Sequence, residues 1–342
     1  MGFFTDKSIL IIGGTGTIGQ GLIKELVNHD PKVIRIFSRD EHKQFKMQQH
    51  VDFIRDSKKF RFLIGDVRDY DRVQRAMHDI DIVFNLAAMK HVSSCEYNPT
   101  EAIKTNVDGM NNVIKAAIEN KVECVLFTSS DKAISPTNTY GATKMLAEKL
   151  VQAANFSKGS VKTKFIAVRF GNVMGSRGSV IPLFKKQILT KGKITVTDEK
   201  MSRFMMTCTQ AVTLMLKACE ISRGGELFVL KMPVINLKDL SNVIIEDVCE
   251  KYGLNKADIK IELIGNKPGE RLYEELMTME ESHYAKDLGK MYVVFPTTYG
   301  LDYYESVYDT YKNCEIASYS SHGLKPISRD EVRIMIKNEE LI

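Results

Sequence analysis

Ser8 to Ile12 (SILII) is a short β-branched run, Gly13-Gly14-Thr15-Gly16-Thr17-Ile18-Gly19 follows without a gap, and Gly21 to Val27 then carries apolar residues at helical spacing. No other stretch of the chain narrows its possible folds so far. Strand, glycine turn and helix in immediate succession open a βαβ unit. Gly13, Gly16 and Gly19 stand at G-x-x-G-x-x-G spacing. That spacing permits a tight turn, close approach of the backbone to a pyrophosphate, and close packing of the helix. Thr15, Thr17 and Ile18 complete the turn, and an anion placed there meets a positively polarised helix N-terminus. A plain βα turn is the alternative, and the position between a clear strand and a clear helix favours the dinucleotide site.

The same alternation continues. Val33 to Phe37, Phe60 to Ile64, Ile82 to Leu86, Cys124 to Thr128 and Phe165 to Phe170 read as further strands, separated by helical stretches such as Pro99 to Asn120. Strands alternating with helices imply an α/β fold, a Rossmann-type doubly wound parallel sheet with right-handed crossovers. From Gly171 to Arg203 the pattern loosens into Gly, Arg, Lys and Thr and reads as loops. Glu226 to Leu230 reads as a strand returning to the sheet, Leu237 to Tyr252 as an amphipathic helix, and Ile259 to Ile264 as a strand. The expected division is a dinucleotide-binding domain over 1–172 with a return strand near 225–232, and a smaller C-terminal α/β substrate lobe over 173–224 and 233–298. The polar, Tyr-rich extension over 299–342 has no assigned role.

Composition restricts the function classes. The 342 residues are 44% hydrophobic and 27% charged with a formal charge of +5, and the basic residues are interspersed with acidic ones. This argues for a soluble globular protein, makes no demand for nucleic acid, and suits an anionic small molecule. The N-terminal apolar run is too short for a signal peptide or a membrane span. The six cysteines are scattered, without a C-x-x-C pair or zinc-ligand spacing, so the expectation is reduced core residues, no metal, and a cytoplasmic location.

After the second strand, Ser38 and Arg39 stand where an NAD-selective protein places an acid on the ribose diol. They are placed to pair with a 2′-phosphate, which favours NADP; NAD stays open because Asp40 is adjacent. Asp66, followed by Val67, comes after the third strand, where it either meets the adenine ring or caps a helix. Ala87 and Ala88 let a cofactor lie against the backbone, and Lys90 is placed to contact cofactor or substrate.

The chemistry is concentrated in Ser129-Ser130-Asp131-Lys132 and Tyr140-Gly141-Ala142-Thr143-Lys144. Tyr140 and Lys144 share one helical face. The ammonium can hold a nicotinamide ribose and lower the phenol pKa, so that Tyr140 takes a proton from a sugar hydroxyl, with Ser130 bonding the same hydroxyl. Asp131 and Lys132 add an acid and a base beside them. Adjacent opposite charges keep both ionised, whereas an acid must be neutral and a base uncharged to act. Desolvation by substrate has to reverse that preference, and the two groups titrate together.

Taken together, GGTGTIG, FSRDE, GDVRD, AAMKHV, SSDKA, YGATK, RFGNVMGSRGSVIP, TDEKMSRFMMT and KPGERLYEEL resemble the extended short-chain dehydrogenase/reductases that act on nucleotide sugars. More narrowly, the stretch from about Lys7 to about Thr278 is similar to the soluble, C5-inverting UDP-N-acetylglucosamine 4,6-dehydratases of capsule and flagellin sugar pathways. The resemblance implies a tightly held NADP, a UDP-sugar substrate and a homo-oligomer, a dimer or hexamer. It also implies a mechanism in which Tyr140 assists oxidation at C4, Lys132 removes the C5 proton, Asp131 protonates the departing C6 hydroxyl, and hydride returns to C6. Asn172 and Arg203 resemble diphosphate ligands, and Lys267 and Glu270 match positions near nucleotide and sugar. Lys267 replaces the commoner Arg, which reduces a bidentate phosphate contact to a point charge. Met201, Met205 and Met206 read as lobe packing. A 4-epimerase shares Ser130, Tyr140 and Lys144 but has no use for Asp131 and Lys132. A C5-retaining dehydratase resembles Thr-Asp-Glu at this place, and a cofactor-sensing regulatory protein typically loses the Tyr or the Lys.

Overall fold

A computed structural model of the chain describes residues 2–50, 58–265, 271–297 and 300–342. Six parallel strands form the main sheet: β1 (Ser8–Ile12), β2 (Val33–Ser38), β3 (Phe60–Ile64), β4 (Ile82–Asn85), β5 (Cys124–Thr128) and β6 (Lys164–Arg169). Their order is β3-β2-β1-β4-β5-β6. Leu227–Leu230 extends the sheet parallel to β6, and Met291–Val294, Ala285–Asp287 and Lys312–Asn313 continue it antiparallel. β1 and β5 are buried at every position, as strands covered by helices on both faces must be. The chain reverses its winding between β1 and β4, and the crevice outside the carboxyl ends of those strands is where a doubly wound sheet takes its ligand.

The helix read over 99–120 is a helical run from Pro99 to Glu119 interrupted by a π turn at Lys104–Asp108. The extra residue in that turn redirects Thr105 and Asn106, a detail that apolar spacing does not reveal. The segment read as loops over 171–203 holds a helix, Val180–Lys191, ended by Gly192 in the left-handed conformation. Ile181, Phe184 and Ile188 recur at helical spacing and bury against Leu240, Val243 and Ile244 of Leu237–Tyr252. The high content of Gly, Lys and Thr around them hid that stripe.

These residues belong to a second core, separate from the one around the sheet. Val332 and Ile336 of the C-terminal helix Arg329–Asn338 complete it, and Arg333 bridges to Glu246 at 2.6 Å and Asp247 at 2.8 Å. Tyr319–Ser320 pairs antiparallel with Glu275–Met277. The last forty residues thus take part in both the sheet edge and the small lobe. Met201 and Met205 are buried in this second core, as lobe packing requires, whereas Met206 is buried in the core around the sheet, and all six cysteines are free thiols. Among the described residues no helix is long and apolar enough to cross a membrane, and no cluster of His, Cys, Asp and Glu could hold a metal ion.

Candidate active site

A cavity of about 810 Å³ opens along the carboxyl ends of the parallel strands. Its floor is the glycine turn. Gly13 has φ +84°, donates its N–H to Phe37 O at 2.8 Å, and a Cβ there would sit 2.9 Å from Ala87 N. Gly16 precedes the helix Thr17–Leu26 without any side-chain cap, so the first N–H groups of that helix are left for a ligand. Thr15 Oγ1 and Ser38 Oγ are 2.9 Å apart and hold the ends of β1 and β2 together.

Ser38, Arg39, Asp66 and Val67 all line this end of the cavity, joined by Lys43. Arg39 is exposed and stands 3.6 Å from Asp66, whose carboxylate is gripped by Arg68 at 2.7 Å. The helix Tyr70–Ala76 is capped by Asp69, not Asp66. Lys43, ion-paired with Asp40, adds a second cation beside Arg39. Ala87, Ala88 and Lys90 line the wall after β4. Asn106 fastens that wall to the helix Thr139–Ser157: it bonds both backbone groups of Met89 and donates to Thr143 Oγ1 at 2.9 Å. The hydroxyls of Thr105, Ser129 and Ser179 line the cavity buried and without a hydrogen-bond partner. Buried hydroxyls left open, a turn with no room for Cβ and an uncapped helix end fit a bound dinucleotide.

Ser130, Asp131, Lys132, Tyr140 and Lys144 meet at the centre. Asn138 caps the helix that carries Tyr140 and Lys144, accepting from Gly141 N at 2.9 Å. That helix rests directly on the Asp131–Ala133 turn, where a Cβ on Gly141 would come within 2.1 Å of Lys132 O. Ser130 Oγ donates to Asp131 Oδ1 at 2.7 Å, and Lys132 Nζ donates to Asp131 Oδ2 at 2.7 Å. Burial pushes Asp131 towards its neutral form, yet the Lys132 charge and the hydrogen bonds from Lys132 and Ser130 hold it below the usual carboxylate range. Burial likewise opposes the Lys132 charge, and Asp131 with Glu274 outweighs it and raises the ammonium above its ordinary value. Burial raises the Tyr140 phenol, partly offset by a hydrogen bond with Ser130 and by the Lys132 charge. Lys144 donates to Thr128 O at 2.7 Å and is pushed down to about 8, chiefly by burial.

Asn172 lines the cavity, but its amide donates to both carboxylate oxygens of Glu274 at 3.0 Å. Arg203 does not line it. The Arg203 guanidinium donates to the carbonyls of Ser202, Leu272 and Arg271 and stands 3.4 Å from Glu274. The diphosphate contact expected of Arg203 therefore has no free donor array facing the cavity. Lys267 and Glu270 lie outside the described residues. Sequence reasoning did not single out Lys43, Thr105, Asn106, Arg177, Ser179 or Glu274. Arg177 crosses the cavity to donate to Thr15 O at 2.8 Å, and it lies inside the GSRGS run, whose density of small and basic residues was the available signal.

Residues 9–296 match the polysaccharide biosynthesis protein family. An uncharacterized membrane protein of Methanocaldococcus jannaschii is 46% identical over 98% of this chain and 96% of its own length. An inverting UDP-N-acetylglucosamine 4,6-dehydratase of Campylobacter jejuni is 42% identical over 86% of this chain and 84% of its own. A UDP-glucose 4-epimerase of Rickettsia bellii is 39% identical over 99% of this chain and 98% of its own. The X-ray structure of Pen from Bacillus thuringiensis superposes with a TM-score of 0.92 at 54% identity, covering 100% of both chains.

Proposed function

The chain belongs to the polysaccharide biosynthesis family of extended short-chain dehydrogenase/reductases, and from that premise we propose that it removes water from UDP-N-acetylglucosamine. The product is the C5-inverted 4-keto-6-deoxy sugar, UDP-2-acetamido-2,6-dideoxy-β-L-arabino-hexos-4-ulose. At the coarser level the protein is a nucleotide-sugar-modifying enzyme, as its named relatives are a dehydratase and an epimerase. The observation that carries the finer reading is the buried Asp131, bonded on one side to Ser130 and on the other to Lys132. An epimerase moves one hydride and one proton at C4 and leaves that acid and base without a task.

The cofactor is NADP in this reading, with Ser38, Arg39 and Lys43 around a 2′-phosphate, and it supplies a reversible hydride acceptor when bound. Tyr140 takes the proton of the C4 hydroxyl. Tyr140 and Ser130 both line the cavity at this point and Ser130 donates to Asp131, so Ser130 offers that proton a path from Tyr140 to the Asp131 carboxylate. Asp131 thereby becomes the acid that protonates the departing C6 hydroxyl, and Lys132 removes the C5 proton made acidic by the C4 ketone. Neutralising Asp131 also removes the anion that holds the Lys132 proton most strongly, so the ammonium becomes easier to deprotonate before it acts as the base. Ordered delivery of a proton thus answers the Asp131 half of the difficulty, and the Lys132 ammonium still has to pass its own proton to an acceptor.

The test is incubation of the purified protein with UDP-N-acetylglucosamine, without added cofactor, followed by mass and NMR analysis. Loss of one water with inversion at C5 is expected. A product of unchanged mass, epimerised at C4, would sink the dehydration reading.

A further inference from the structure

Glu274 is a buried carboxylate that no step above uses. It stands just before the strand Glu275–Met277, and its backbone N–H is held by Ser321 Oγ at 2.9 Å while its carbonyl accepts from Ser321 N at 2.8 Å. The carboxylate accepts from Asn172 at 3.0 Å and from Phe204 N at 3.1 Å. Its charged neighbours are Arg203 at 3.4 Å, Lys132 at 3.6 Å and, on the other side of the Lys132 ion pair, Asp131. Lys132 Nζ therefore lies between two carboxylates, Asp131 at 2.7 Å and Glu274 at 3.6 Å.

We propose that Glu274 accepts the proton of Lys132, turning the ammonium into the free amine that removes the C5 proton. The inference rests on the dehydration reading above. Its proton balance closes. In the resting site Asp131 and Glu274 are carboxylates opposite the Lys132 ammonium and the Arg203 guanidinium. The proton released at C4 reaches Asp131 through Tyr140 and Ser130. Lys132, now facing a single anion, passes one N–H proton to Glu274, leaving an amine and a carboxylic acid. The amine then takes the C5 proton and becomes ammonium again, while Asp131 gives its proton to the C6 oxygen, which leaves as water; with the hydride returned to C6, a solvent-derived proton enters C5 from the opposite face, and Glu274 releases its proton to solvent to restore the resting site. Glu274 suits the acceptor role because its burial favours the protonated form; in the resting site burial and the Asp131 charge push it up to about 7 against the pull of Lys132 and Arg203, and once Asp131 is neutral the burial remains. Glu274 does not line the substrate cavity; it acts through Lys132.

Glu274→Gln keeps the shape and a hydrogen-bonding oxygen while removing the proton-accepting carboxylate. In deuterated water with UDP-N-acetylglucosamine, the wild type is expected to give a dehydrated product bearing deuterium at C5. The variant should retain bound cofactor and still oxidise C4, seen as accumulated reduced cofactor. Deuterium entry at C5 and water loss should both fall by about a hundredfold or more. The wild-type dehydration rate should rise with pH as Glu274 ionises, while single-turnover oxidation lacks that limb. This profile decides the matter even if the variant does not fold. Equal dehydration by the variant and the wild type, or a wild-type profile without the limb, overturns the Glu274 assignment alone. A wild type that never removes water overturns the dehydration reading and this assignment with it.

Discussion

The Ser130 hydroxyl donates to Asp131 Oδ1 at 2.7 Å while its own oxygen accepts from Lys132 N at 3.3 Å. In the proposed dehydration the contact with Asp131 joins the residues assigned to oxidation to those assigned to elimination. Asp131→Asn keeps the shape and removes the acid. Oxidation at C4 should survive, water loss should fall by about 10²–10⁴-fold, and reduced cofactor should accumulate on the protein. Mass analysis of the sugar together with near-ultraviolet absorbance of the cofactor checks both halves. Normal dehydration by the Asn variant removes Asp131 from the mechanism.

Lys132→Ala separates the two roles in the pair. It removes the base while leaving Asp131 within reach of Ser130, so partial cofactor reduction should remain while deuterium no longer enters C5 from deuterated solvent. Asp131 should also become easier to protonate, because the nearby ammonium is the strongest influence holding its proton affinity down.

How far the sequence revealed this site follows from how local each signal is. The glycine turn, Ser130 to Lys132, and Tyr140 with Lys144 are short runs attached to a strand end or a helix, and their geometry follows from spacing alone. Glu274 is different. It is followed by Glu275, and nothing in Tyr273-Glu274-Glu275-Leu276 indicates which glutamate turns inward. Pairing with Tyr319 and Ser320, far along the chain, makes that choice. Arg203 is a different case: a lone Arg in a motif reads as a phosphate ligand, and the three backbone carbonyls its guanidinium meets come from residues that sequence spacing does not bring together. Similarly, the role of the C-terminal helix depends on Val332 and Ile336 entering a core built almost entirely by residues 174–249.

Selection of the cofactor should depend on Arg39 and Lys43 together. Both line the adenosine end of the cavity and neither is buried. A charge-assisted hydrogen bond contributes about 1.5–3 kcal/mol. Replacing both by Ala should therefore weaken NADP by about a hundredfold or more and leave NAD nearly unchanged, as read by titration of the cofactor-free protein. Equal losses for both dinucleotides would show that the two cations do not face a 2′-phosphate.

Arg169 anchors the catalytic helix to the rest of the molecule. Its guanidinium is buried and forked onto Glu148 of that helix at 2.6 Å, and it meets Glu281 at 2.9 Å. Removing one partner of a buried pair leaves an uncompensated charge, so Arg169→Ala should cost about 3–5 kcal/mol in urea unfolding. Arg169→Lys should recover only part, because an ammonium cannot fork onto both oxygens of Glu148.

Lys144 should make the cofactor-free protein less stable at neutral pH than in mild alkali. Burial lowers its ammonium to about 8 from an ordinary value of 10.5, with Glu148 opposing the shift. Between those two values the unfolded chain binds more protons at this position than the folded one, so stability rises with pH across that window. Below about 8 both states are protonated and the full cost of the buried charge is present. Lys144→Met removes the charge while keeping a long apolar stem. It should raise the unfolding free energy of the cofactor-free protein at pH 7 and flatten its rise towards pH 10. The same variant should abolish C4 oxidation, because a thioether in place of the ammonium cannot hold a nicotinamide ribose. Denaturant titrations of wild type and variant at three pH values decide the point. Parallel curves would mean that Lys144 is already neutralised by a partner in the folded protein.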